Sequence, residues 1–136
     1  MSDLKVQIND PFADCTPISI YSRVQAIEDG VLVDVTQQAK ELGFKYPVAV
    51  TNNVWASCIS WNNEQENAAQ DEAGRLYDVL WIAMITAKRT KGDQAFFDVF
   101  RIPDGGILPS PVTLKSVCGP GDKAEPVITI MRPWED

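Results

Sequence analysis

The chain has 136 residues, of which 45% are hydrophobic and 23% charged, which is typical of one globular domain and excludes a disordered chain. Its formal net charge of −7 repels phosphate backbones and anionic membrane surfaces, so we expect no direct binding to nucleic acid or to membranes. The chain contains no histidine, which excludes Ser-His-Asp catalysis and histidine metal ligation within one chain.

The cysteines and the first residues indicate a reducing compartment. Cys15, Cys58 and Cys118 lie far apart and form no CxxC pair, which predicts free thiols with neither a disulfide framework nor a metal site. The first residues lack the apolar run of a signal peptide, and no stretch approaches a membrane span. We therefore expect a cytoplasmic protein.

In chain order, residues 1–17 are interpreted as a loosely structured lead-in that contains two prolines, and residues 18–136 as a single domain. The domain opens with a short predicted strand over 18–21. Ser22 can then cap a short helix, and Gly30 can end that helix in the left-handed conformation.

Two apolar residues of this helix, Val24 and Ile27, are one turn apart and are expected to face the core. The β-branched run over 31–35 predicts the next strand. Thr36 is expected to cap a second helix that ends at Gly43.

The middle of the chain is predicted to be mainly helical. Residues 46–50 are expected to be extended, Thr51 to cap a helix over 52–61, and the polar run 62–70 to form an exposed loop. The clearest helix is predicted over about 71–90, because its apolar residues recur at helical spacing and form one broad stripe. That stripe comprises Leu76, Val79, Leu80, Ala83, Met84 and Ala87, and it is widened by Trp81 and Ile82.

The last third of the chain changes to the period of a strand. Residues 95–102 carry apolar side chains on both faces, which predicts a central strand followed by a turn at 103–106. Residues 112–118 and 127–131 are predicted to form a β-hairpin. Helices followed by grouped strands predict an α+β domain, with a mostly antiparallel sheet, helices packed on one face and a long central helix.

Several strings together resemble an uncharacterised bacterial family of small acidic proteins, common on plasmids, phages and integrated elements. The resemblance is carried by YSRVQAIEDGVLVDV (21–35), PVAVTNNVW (47–55), GRLYDVLW (74–81) and GPGDKAEPVITIM (119–131). The family is a domain of unknown function, so it implies a bacterial, mobile-element setting and no biochemistry.

The first candidate site is the segment containing Tyr21, Arg23 and Gln25, at the start of the first helix. Its layout resembles the opening of ADP-ribosyltransferase-like folds, where an early arginine holds the dinucleotide and a late glutamate polarises the ribose. That resemblance implies Arg23 as the anchor of NAD and Glu125 as the carboxylate. The alternative is an ordinary exposed helix face.

Other candidate residues point to binding. Trp134 lies between charged residues near the end of the chain and could anchor a partner or fold back over the sheet, whereas Trp55 and Trp81 are expected in the core.

The loop 119–122 joins two strands and is interpreted as a structural turn. Acidic residues that could imitate DNA phosphates are Asp34, Glu64, Glu66, Asp71, Glu72, Asp122, Glu125, Glu135 and Asp136.

The leading functional hypothesis is a small acidic accessory protein of a bacterial mobile element that binds a bacterial or phage protein. One such role is to act against a host defence system. It requires no enzyme activity, cofactor or metal. The alternatives are an ADP-ribosyltransferase-like enzyme that uses NAD and an acidic DNA mimic. The oligomeric state is not predicted.

Overall fold

A computed structural model describes residues 22–60, 72–102 and 108–135. Several sequence predictions therefore lie outside the described residues: the lead-in over 1–17, the strand over 18–21, the polar loop over 62–70 and the turn at 103–106. No helix of the described ranges is both long and apolar enough to cross a lipid bilayer.

The described chain contains four α-helical segments and one π-helical segment. They are α1 (Arg23–Glu28), α2 (Thr36–Leu42), the short α3 (Asn52–Val54), which continues into the π-helix Trp55–Ile59, and α4 (Glu72–Arg89). The strands are β1 (Leu32–Asp34), β2 (Val48–Thr51), β3 (Gln94–Arg101), β4 (Ser110–Pro120) and β5 (Pro126–Met131).

The five strands form one sheet in the order β1-β2-β5-β4-β3. Three of the four pairings are antiparallel, and only β2 pairs with β5 in parallel. The predicted α+β class, the mostly antiparallel sheet and the long helix are therefore confirmed.

The core lies between α4 and one face of the sheet. Alternate strand residues point to this face because side chains alternate along a strand. The buried cluster joins α4 to the sheet and comprises Val35, Ala39, Val48, Val50, Val54, Cys58, Ile59, Leu76, Val79, Leu80, Ala83, Phe97, Val99, Val112, Leu114 and Ile130.

The long helix buries a narrower stripe than the sequence predicts. Leu76, Val79, Leu80 and Ala83 are buried as expected, but Trp81 is 42% exposed and Ala87 is also exposed. A helix that packs on one layer buries only the side facing that layer. The expectation that Trp81 belongs to the core is therefore wrong.

The first helix also faces the sheet differently from the prediction. Ala26 is buried, whereas Val24 is 58% exposed and Ile27 is only half-buried. Arg23, and not Val24, extends from α1 to the sheet, where its guanidinium donates to Thr129 and Ile128. Ser22 caps α1 as predicted, because its side chain accepts the amide of Gln25.

Two other helix predictions need correction. Thr36 is the first residue of α2 and does not cap it; its hydroxyl donates to Asp34 at 2.6 Å. The helix predicted over 52–61 is a single α-turn followed by the π-helix, which ends at Ile59. Thr51 does cap this segment, because its hydroxyl accepts the amide of Val54.

Strand β3 lies at the edge of the described sheet and not in its centre, as its pattern had predicted. It pairs with β4 alone among the described strands, and Phe96 and Phe100 are 57% and 61% exposed. The prediction failed because apolar side chains on both faces of a strand are a signal for how its faces are covered. The position of a strand in the sheet depends instead on which strands pair beside it. The hairpin of β4 and β5 is present as predicted.

Candidate functional site

The predicted site at the start of α1 is a junction between that helix and the end of the sheet. The carboxylate of Asp122, in the loop between β4 and β5, accepts the amides of Arg23 and Val24 at 2.7 and 3.1 Å. The Arg23 guanidinium donates to the Thr129 hydroxyl at 2.7 Å and to the carbonyl of Ile128 at 2.8 Å. These bonds fasten α1 to β5 and to the hairpin loop.

Two pKa shifts follow from this junction. Burial lowers the pKa of the Arg23 guanidinium, and the neighbouring carboxylates of Asp34, Asp122 and Glu125 oppose that change. The two amide hydrogen bonds from Arg23 and Val24 lower the pKa of the exposed Asp122 carboxyl, and the charge of Arg23 adds to this effect. Arg23 stays charged at neutral pH.

The structure brings Arg23 and Glu125 to the same end of the sheet, beside an open groove of about 750 Å³ that Arg23 and Asp122 line. The carboxylate of Glu125 accepts the amide of Lys123 at 2.9 Å, within its own loop. Both groups therefore have contacts that stabilise the fold. Dinucleotide binding by this pair stays a prediction. Gln25 is exposed on α1, and Tyr21 lies outside the described residues.

The C-terminal segment places Trp134 on the surface. This residue is 68% exposed, and the guanidinium carbon of Arg132 lies 4.4 Å from the centroid of its ring, in cation–π geometry. Next to it, Glu135 accepts from the Thr51 hydroxyl at 2.8 Å and from the Asn53 side chain at 3.2 Å. The backbone of the segment thus folds back onto β2 while the indole ring faces solvent.

Several of the predicted acidic residues have contacts within the protein. Asp34, Asp122, Glu125 and Glu135 each accept hydrogen bonds from neighbouring groups. Glu64, Glu66, Asp71 and Asp136 lie outside the described residues. DNA mimicry stays a prediction. Among the residues that the structure describes, no three Cys, Asp or Glu side chains are close enough to hold a metal ion.

A second surface, which the sequence analysis did not single out, lies where α2, the π-helix and α4 meet. We call it the aromatic groove; its volume is about 500 Å³. Its lining comprises Gln38, Glu41, Leu42, Trp55, Glu72, Ala73, Leu76, Tyr77 and Leu80. Leu76 and Leu80 are buried and Trp55 is half-buried, so the floor is apolar. The exposed carboxylates of Glu41 and Glu72 lie at its rim.

Tyr77, which lines the aromatic groove, stacks on Trp81, which lies beside the groove. Tyr77 and Trp81 are one turn apart on α4, their ring centroids are 6.2 Å apart, and their planes differ by 9°. They are 50% and 42% exposed. The only signal in the sequence was the spacing of these aromatics, since residues at i and i+4 of a helix are neighbours on its surface.

The π-helix contributes directly to this surface. It begins at Trp55, which lines the groove, while Cys58 and Ile59 from the same segment are buried in the core. A π-helical segment is rare, and such segments occur frequently at functional sites. The groove therefore combines an unusual backbone, an apolar floor, an aromatic border and an acidic rim.

Comparison with known proteins gives a family without an assigned activity. The model of a family of unknown function, DUF6573, matches residues 8–136. No curated protein and no solved structure matches the chain.

Proposed function

The chain belongs to DUF6573, a family of unknown function, and we propose its function from its surface chemistry. We propose that it is a non-enzymatic accessory protein that binds another protein through the aromatic groove. The observation that carries the proposal is the exposed stack of Tyr77 and Trp81 beside an apolar groove. The setting we propose is the bacterial cytoplasm and a mobile element, as the resemblance of the sequence implies.

The residues of the groove have the composition of a protein-binding site. Tyrosine and tryptophan are enriched among the residues that contribute most to binding energy, and they act best around a pocket that excludes water. Leu76 and Leu80 provide the apolar floor of such a pocket. A partner that covers Tyr77 and Trp81 removes their apolar surface from water, and this burial favours association.

The acidic rim supports a partner with a basic surface. Glu41 and Glu72 are exposed beside the groove, and the chain as a whole carries a net charge of −7. Opposite charge on a partner speeds association and favours the correct orientation. We therefore propose a bacterial or phage protein, such as a component of a host defence system, that presents apolar side chains flanked by Lys or Arg.

The test is affinity capture from bacterial lysate with the full chain as bait. The Tyr77→Ser/Trp81→Ser variant should lose the captured partner, and each single substitution should weaken its affinity by about tenfold or more. Trp134→Ser is the matched control, because it removes an exposed aromatic residue outside the groove. Titration calorimetry with the purified partner gives the affinities, and circular dichroism shows whether each variant is folded.

The charge of the rim is tested separately. Glu41→Lys should slow association with the same partner, whereas Glu28→Lys, on α1, should leave it unchanged. A partner retained equally by the wild type and by the double variant would contradict a role for the groove. Failure to capture any protein reproducibly would count against the whole proposal.

A further inference from the structure

Strand β3 forms one edge of the described sheet, two strands away from β5, to which Arg23 binds. This strand runs from Gln94 to Arg101 and pairs only with β4 among the described strands. The pairing is regular along its whole length, from Gln94 opposite Val117 to Arg101 opposite Ser110. A regular edge with unpaired main-chain groups is a template for the addition of another strand.

The hydrogen-bonding pattern shows which residues present their main chain at this edge. The amide of Cys118 donates to the carbonyl of Asp93 at 2.8 Å, and these two residues stand opposite each other in the extended register. In an antiparallel ladder, bonded pairs alternate with non-bonded ones. The main-chain groups of Phe96, Asp98 and Phe100 therefore point away from β4, at the outer edge of the described sheet.

The same residues also present their side chains to solvent. Phe96 and Phe100 are on the face opposite α4 and are more than half exposed, whereas Phe97 and Val99 are buried beneath them. Asp98 lies between the two phenyl rings, and its carboxylate accepts the Thr113 hydroxyl at 2.6 Å. The edge thus offers hydrogen-bonding groups and an apolar-acidic-apolar row of side chains.

We infer that β3 binds an extended segment of another protein, which joins the sheet beside β3. Main-chain hydrogen bonds supply the affinity of such an added strand, and alternate side chains supply its specificity. Directly opposite residues share a face and interact. The segment should therefore carry apolar side chains opposite Phe96 and Phe100 and a Lys or Arg opposite Asp98.

A second copy of this chain does not satisfy that pattern. An antiparallel pairing that places Phe96 opposite Phe100 of the other copy also places the two Asp98 carboxylates side by side. Like charges directly opposite each other destabilise a pair of strands. Each copy also carries a net charge of −7. The charge therefore favours a basic partner segment over self-association.

The experiment uses the peptide Thr-Val-Thr-Lys-Thr-Val-Thr as the probe and nuclear magnetic resonance of the labelled full chain. The amides of Phe96, Asp98 and Phe100 should shift with saturation and gain protection from hydrogen exchange. Those of Ala95, Phe97 and Val99, which face β4, should keep their protection. Replacing the peptide Lys with Glu should weaken binding by about fivefold or more.

Two variants identify the contacts. Asp98→Lys should reverse the preference, so that the Glu peptide binds more tightly than the Lys peptide. Asp98→Pro removes an outward amide, which an edge strand tolerates, and should weaken binding of both peptides. Tyr77→Ser, in the aromatic groove, should leave peptide binding unchanged and so separates this inference from the proposed function.

Three outcomes would overturn the inference. They are no saturable shift at the outward amides at millimolar peptide, shifts confined to the aromatic groove, and a concentration-dependent dimer in sedimentation that protects the same amides. The first would leave the edge without a ligand of this chemistry. The last would assign the edge to a second copy of this chain.

Discussion

At the scale of single residues, Asp122 links the stability of the fold to pH. Its carboxylate accepts hydrogen bonds from the amides of the first two residues of α1. Its pKa is lower in the folded protein than its ordinary value. A carboxyl with a lowered folded pKa stabilises the protein above its ordinary pKa. That contribution is lost as the pH falls through the folded pKa.

We therefore predict that Asp122→Asn lowers the urea midpoint of unfolding at neutral pH, and that the difference from wild type shrinks at an acid pH, as the pH falls through the lowered folded pKa of Asp122. Unfolding followed by circular dichroism at both pH values measures this difference. Asp78→Asn, which changes an exposed carboxylate of α4, is the control. An Asp122→Asn difference of the same size at both pH values would show that the charge is not responsible.

Individual side-chain contacts could be predicted only in part. Ser22 and Thr51 were identified as helix caps because their effect is local in sequence. The bond from Arg23 to Thr129 joins residues 106 positions apart, and no local pattern shows it. The buried Arg75, which donates to the carbonyls of Ser60 and Ile102, was missed because a charged residue on a helix is usually exposed.

At the scale of elements, Thr51 ends β2, caps α3 and holds the C-terminal segment. Its hydroxyl accepts the amide of Val54 at 3.2 Å and donates to Glu135 at 2.8 Å. Thr51→Val keeps the branched shape but removes both bonds, and we predict a loss of about 1–2 kcal/mol in the free energy of unfolding.

Chemical denaturation measures that loss. The matched control is Thr113→Val on the exposed face of β4, which removes only a solvent-exposed hydrogen bond to Asp98 and should change stability by no more than about 0.5 kcal/mol. Equal effects of the two substitutions would indicate that the cap and the contact with Glu135 contribute little.

Most element positions could be predicted from local patterns, but apart from the hairpin of β4 and β5 their neighbours in the sheet could not. The stripe of α4 and the alternation of the last three strands are periodic, and periodicity determines element type. The place of β3 depends on which strands lie beside it, and its own residues do not contain that information. The aromatic groove could not be predicted for the same reason, because its lining residues come from three separate parts of the chain.

At the scale of the whole molecule, stability should be highest in the centre of the sheet. β5 has β2 on one side and β4 on the other, whereas α1 buries Ala26 as its only apolar core residue in the described chain. Opening free energies in a protein range from near zero in peripheral elements to the global value in the core.

We predict that the amides of Ile128 and Ile130 exchange with solvent among the slowest in the chain, while those of α1 exchange at least about a hundredfold faster. Hydrogen exchange followed by nuclear magnetic resonance measures these rates. Equal protection of α1 and β5 would show that the Arg23 junction opens only when the whole domain unfolds.

The parallel pairing of β2 with β5 also has a consequence for synthesis. Val48, Ala49 and Val50 pair with Ile128, Thr129 and Ile130, so the central pairing joins β2 to a strand that is made after β3 and β4. Contacts so distant in sequence form slowly. During synthesis β2 can pair with β1, but it stays without β5 on its other side until β5 has emerged from the ribosome. During that interval the apolar residues of β2 and α4 are accessible to chaperones.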